Sequence, residues 1–78
     1  MVNFNRFYDI PGQDCYLGRA HDLGGYERLF LITDKTIYKR NENNDGWSSL
    51  SQLEQDIVRE GLNRALQSGI RRYAIHHQ

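Results

Sequence analysis

At 78 residues the chain is one domain, near the lower limit at which a single hydrophobic core holds a fold without disulfides or metal. Ten Lys and Arg balance ten Asp and Glu, so the formal net charge is zero and any electrostatic partner must be met by a local patch. The single cysteine, Cys15, excludes an internal disulfide and points to a reducing compartment, while no apolar run approaches membrane-spanning length.

Residues 1–6 lack the apolar stretch of a signal peptide, so a cytoplasmic protein with no membrane partner is expected. Residues 1–10 alternate as a strand, with Val2, Phe4, Arg6 and Tyr8 on one side and Asn3, Asn5, Phe7 and Asp9 on the other. Pro11-Gly12 closes it, because Pro presets its own dihedral and Gly tolerates positive φ at the next position. Residues 14–22 give a second strand, with Cys15, Leu17, Arg19 and His21 on one face and Tyr16, Gly18 and Ala20 on the other. Leu23-Gly24-Gly25 has the composition of a hairpin turn. Residues 26–33 make the strongest strand. Its centre, Leu29-Phe30-Leu31-Ile32, is apolar on both faces, as befits the middle of a sheet. Asp34-Lys35 reverses the chain into a strand over residues 36–40, and residues 41–46 are a loop. Trp47 is expected to cover one end of the core where the chain leaves the sheet.

Residues 49–68 read as one amphipathic helix. At 3.6 residues per turn, Leu50, Leu53, Ile57, Val58, Gly61, Leu62, Ala65 and Leu66 fall on one broad side, with Gln52, Asp56, Arg59, Glu60, Asn63, Arg64 and Gln67 opposite. Ser49 with Gln52 is taken as the N-cap, and Ser51 with Glu54 fits the capping box equally well. That second pairing gives Glu54, near the middle of the apolar arc, a capping role. Gly69 supplies the left-handed stop, and residues 70–75 alternate as a last strand. The expected fold is therefore α+β in the order ββββαβ: a single domain over residues 1–78, with a four- to five-stranded, mainly antiparallel sheet and one helix on one face.

Two features exceed what a self-contained monomer requires. The apolar arc of the helix spans roughly 220°, about twice the ~100° stripe that packing on one sheet needs, which leaves Leu62 and Leu66, or else Leu53, on an uncovered flank. The central strand is apolar on both sides although one helix covers one, so either Leu29 and Leu31 or Phe30 and Ile32 face outward unless the amino-terminal segment folds over them.

Signals for chemistry are weak. Residues 41–46 resemble the opening of an EF-hand loop, with oxygen-bearing residues at loop positions one, three and five and Gly at six, but position one is Asn and position twelve is Gln52. Cys15, His21, His76 and His77 lack zinc-ligand spacing, and on one strand Cys15 and His21 are on the order of 20 Å apart at ~3.3 Å per residue, too far for a thiol and its base. No metal or cofactor is expected, and a thiol- or metal-dependent enzyme is the last-ranked reading. The basic doublets Lys39-Arg40 and Arg71-Arg72, with Arg6, Arg19, Arg28 and the tyrosines, compose a face suited to phosphate and base stacking. A nucleic-acid-binding protein is accordingly the second reading.

The dominant signal is compositional: five Tyr, one Trp and eight Arg, the side chains that dominate protein interfaces. The first reading is thus a non-enzymatic protein-binding module that docks on a larger partner or self-associates as a homo-oligomer. Its expected partner-binding residues are Tyr26, Arg28, Tyr38, Arg40, Arg72 and Tyr73 on the sheet, with Leu62 and Leu66 on the helix. By size and composition the chain resembles the small single-domain inhibitors that phages and other mobile elements encode against host machinery, including anti-CRISPR proteins. That resemblance implies docking on a host protein or complex.

Overall fold

A computed structural model describes residues 2–21, 24–70 and, for the backbone, 72–74. Six strands and one helix follow in chain order: β1 (Asn3–Asp9), β2 (Tyr16–His21), β3 (Glu27–Ile32), β4 (Ile37–Arg40), β5 (Trp47–Ser49), α1 (Gln52–Gln67) and β6 (Arg72–Ala74). They form one sheet in the order β5-β4-β3-β2-β1-β6, antiparallel throughout except for the parallel β1–β6 pair. The α+β class and the single helix are as expected. Leu23, Arg71, Ile75, His76 and His77, named above in a turn, a basic doublet, the last strand and the zinc-ligand search, lie outside the described residues.

The additional strand is β5. Residues 41–46 form the turn of a β4–β5 hairpin, with Asn44 at φ 60°, Gly46 at φ 145° and the Asn41 N–H donating to the Gly46 carbonyl at 2.9 Å. Trp47 therefore pairs with Arg40 in the sheet and does not cap the core. Three residues are too few for alternation to reveal a strand.

A second correction concerns β1. The β1–β2 register shifts between Phe4 and Arg6, so Asn5 is the extra residue of a bulge and side-chain parity inverts there. Phe4 and Phe7 consequently share the helix side, their rings stacked at 5.4 Å, with Phe30 5.6 Å from Phe4 and Tyr16 edge-on to Phe7 at 5.7 Å. Gly18 admits this cluster, because a Cβ there would stand 2.5 Å from Phe4 Cε1. Val2, Ala20, Ile32 and Ile37 complete the sheet's half of the core, and Val58, Leu62 and Ala65 supply the helix's half.

The helix leaves the sheet at the β5 edge and returns at the β6 edge, so it must cross every strand. Sixteen residues at ~1.5 Å each span about 24 Å, and five strand spacings at ~4.8 Å come to about the same. Ser51, not Ser49, is the N-cap: its hydroxyl accepts from the Glu54 N–H at 3.2 Å while Glu54 accepts from the Ser51 N–H at 3.2 Å. Gly69, at φ 77°, ends the helix, and the Gly69 and Ile70 N–H groups close back on the Leu66 and Ala65 carbonyls at 3.3 Å. Polar clasps hold both margins. Gln55 accepts from the Ile37 N–H at 3.2 Å and donates to Thr36 Oγ1 at 2.6 Å, while Arg64 donates to the Val2 carbonyl at 3.2 Å.

Candidate functional site

Register settles which apolar positions the core uses. Phe7, Gly18 and Phe30 are paired in sequence across β1, β2 and β3 and face the helix. The adjacent row therefore faces away: Tyr8 opposite Leu17, Leu17 opposite Leu31, Leu31 opposite Tyr38 and Tyr38 opposite Ser49. Tyr73 is in backbone register with Tyr8 on β6. All four of Tyr8, Leu17, Leu31 and Tyr38 are partly exposed. The amino-terminal segment does not fold over them, since it is the β1 strand itself, with Val2 and Phe4 buried under the helix. No described element lies over this side of the sheet.

Arginines border the row. Arg6 pairs with Arg19 across β1 and β2, and the Arg6 guanidinium donates to the Tyr8 hydroxyl at 3.5 Å. The Arg19 guanidinium stands 5.9 Å from the Tyr8 ring centroid and 3.4 Å from Glu27. At the other edge Arg40 lies over the Trp47 ring at 5.1 Å and donates to the Asn44 carbonyl at 2.7 Å. Stacking on the rings and these polar contacts hold the charged planes beside the aromatic ones. The face thus combines flat apolar area, tyrosine hydroxyls and fixed cations, a composition suited to adhesion.

Two of the expected partner-binding residues, Tyr38 and Arg40, belong to this face. Arg28 does not: it pairs with Ala20 in register and faces the helix side, 3.5 Å from Glu42. Tyr26 precedes β3 in the turn and is 69 % exposed. Leu62 is buried at 6 % exposure, so the uncovered flank of the helix is Leu53 at 70 % and Leu66 at 47 %. Those two are thirteen positions apart, about 220° around the helix at ~100° per residue, and make no common patch. Arg72 and Tyr73 lie on β6 opposite Phe7 and Tyr8. Sequence reasoning missed Tyr8, Leu17 and Trp47 as members of the face. The alternation of Leu17 and Arg19 against Gly18 and Ala20 was the signal for Leu17; the bulge hid the placement of Tyr8, and the short β5 hid that of Trp47.

The Asp45 carboxylate accepts from the Asn41 and Asn43 side-chain amides at 3.0 Å each, and Ser48 donates to Asn41, so the 41–46 loop is folded on its own polar groups. Cys15 is half-buried before the start of β2, and His21 ends that strand beside Asn5, its Nδ1 3.2 Å from the Asn5 amide nitrogen. Glu54 caps α1. Hydrogen bonds from the Ser51 backbone and hydroxyl, with a further contribution from Lys39 at 3.3 Å, hold its carboxyl below the ordinary glutamate range.

Comparisons with known protein families, with curated proteins and with solved structures find no match. Among the described residues no helix is long and apolar enough to cross a membrane.

Proposed function

We propose that the chain is a non-enzymatic binding module whose open sheet face docks on an acidic, apolar-studded surface of a larger protein. What carries the reading is the partly exposed row Tyr8, Leu17, Leu31 and Tyr38, aligned strand by strand and bordered by Arg6, Arg19 and Arg40. Tyrosine and arginine give large contact area at small entropic cost, and the leucines between them supply a dry centre. Glu27 faces the same way beside Arg19, so the local charge is positive although the chain is neutral. Two such faces brought together would oppose like charges, which favours a foreign acidic partner over a second copy.

Leu31→Asn and Tyr38→Ala test this. Both positions are partly exposed, so each variant keeps the wild-type circular dichroism spectrum and loses the protein that wild type captures. Arg40→Glu slows association and flattens its salt dependence. Capture undiminished in Leu31→Asn and Tyr38→Ala means that docking uses another surface. The stacked Arg19–Tyr8 and Arg40–Trp47 pairs favour one second reading, in which the same face binds a single-stranded nucleic acid. That reading requires affinity for a mixed oligonucleotide pool that falls steeply with salt. A flat salt response removes it.

A further inference from the structure

Beside the Tyr8–Leu17–Leu31–Tyr38 row, the open face carries a cleft of about 330 Å³. Its sheet part is Arg19, Leu29 and Arg40, and Asn44 lines it from the β4–β5 turn. Leu29 is opposite Arg19 in register, and the Phe30–Lys39 pair, turned toward the helix, leaves Leu29 and Arg40 on the open side. The charges around the cleft are not evenly matched. Arg19 is bridged to Glu27 at 3.4 Å and Arg28 to Glu42 at 3.5 Å. Among the described residues no carboxylate stands within ion-pair distance of Arg40. Its guanidinium lies over Trp47 at 5.1 Å and donates through Nη2 to the Asn44 carbonyl at 2.7 Å, which leaves its other N–H groups for a ligand.

We infer that this cleft is the selective contact of the docking face and takes one carboxylate side chain of the partner, with an apolar neighbour, on Arg40; the inference rests on the docking reading above. The volume is at the lower end of the ~300–1,000 Å³ usual for ligand pockets, room for a side chain or two. The guanidinium is fixed in advance. Stacking on Trp47 and the Asn44 contact hold its plane, so less side-chain freedom is lost when a carboxylate binds. Leu29, half-buried on the same side as Leu17 and Leu31, seats the apolar neighbour. The charge count selects the anion. One uncompensated cation matches one carboxylate, whereas a phosphate monoester brings about −1.5 to −2, and its second charge would meet Glu27 and Glu42. Selection therefore falls to Arg40 and not to Arg19, whose charge Glu27 already answers.

The test is a titration of the ¹⁵N-labelled full chain with the tripeptide N-acetyl-Leu-Glu-Leu-amide and, in parallel, with its Gln and phosphoserine analogues, followed by backbone amide and Trp47 indole shifts. The expected result is saturable binding of the Glu peptide with shifts centred on Leu29, Arg40, Asn44 and Trp47, affinity for the Gln peptide about tenfold weaker, and no gain for phosphoserine. Arg40→Gln lowers the affinity for the Glu peptide to that for the Gln peptide. Arg19→Gln combined with Glu27→Gln removes a neutral couple and changes it less than about threefold. Equal affinity for the Glu and Gln peptides overturns the assignment, and so does tighter binding of the phosphoserine peptide. A loss in the Arg19/Glu27 double variant as large as in Arg40→Gln overturns it too, as does the absence of saturable shifts in the folded chain at several millimolar Glu peptide. Failure here is distinct from failure of the docking reading: partner capture lost in Leu31→Asn, with no response to the Glu peptide, keeps the docking face and removes the carboxylate site.

Discussion

Gly61 sits in the third turn of α1, a position where replacing glycine by alanine ordinarily strengthens a helix by about 1 kcal/mol. Here the sign inverts. A Cβ on Gly61 would stand 2.3 Å from the Val2 carbonyl oxygen and 3.2 Å from its carbon, and backbone atoms cannot rotate away as a flexible side chain does. Either the helix lifts from the sheet or the chain end carrying Val2 detaches. Detachment is the smaller loss: it exposes a nearly fully buried Val2, worth about 1.5–3 kcal/mol, and breaks the Arg64–Val2 hydrogen bond, worth about 1 kcal/mol. After subtracting the propensity gain, Gly61→Ala destabilises by about 1.5–3 kcal/mol. Urea unfolding, read by circular dichroism and by the fluorescence of the single Trp47, measures it, with Asn63→Ala at an exposed helical position as a control that gains a few tenths of a kcal/mol. A Gly61→Ala chain as stable as wild type, or more so, refutes the close approach of α1 and the Val2 backbone.

Three more outcomes follow from the helix's fastenings. Ser51→Ala removes the cap and lowers stability by about 1 kcal/mol in the same urea assay, whereas Ser49→Ala, at the end of β5, leaves the helix start intact. Because the folded-state pKa of Glu54 is depressed, its contribution is fully present above the ordinary glutamate range and is lost as pH falls through the lowered folded value. Glu54→Gln therefore flattens the acid limb of a stability-versus-pH curve, by about 0.5 kcal/mol or less given its solvent exposure. Gln55→Met keeps the volume but leaves the N–H of the fully buried Ile37 unpaired, lowering stability by about 1–3 kcal/mol; hydrogen exchange at Ile37 and a thermal melt check it.

Local patterns carried the elements whose signals are local. Periodicity over sixteen residues, an N-cap serine with glutamate three positions on, and Gly69 together specify α1 closely, and five strands followed from local composition, alternation and turn residues. What stayed hidden depends on contacts between distant parts of the chain. The bulge at Asn5 exists because Phe4 and Phe7 both pack beneath the helix, and no pattern within residues 1–10 announces it. β5 owes its identity to pairing with β4 across a loop whose composition alone says only that it turns. The parallel β1–β6 pairing is decided by where the helix ends after crossing the sheet.

The same distinction governs the candidate face. That one side of β3 needs a cover the single helix cannot supply was readable from Leu29-Phe30-Leu31-Ile32, but whether the amino-terminal segment supplies it was not. Which side, and with what neighbours, required the register. Once it is known, a local surplus emerges from the chain's neutrality: Arg6, Arg19 and Arg40 border the open face, with Glu27 beside Arg19. Zero net charge thus conceals a basic, aromatic side. A partner that approaches the basic side with its own carboxylates gains both steering and burial of the tyrosine–leucine row, whereas a second copy in the same orientation meets its own sign. Arginine stacked on tyrosine and tryptophan is therefore more informative about binding than the count of either residue, because it fixes cation and apolar surface on one plane.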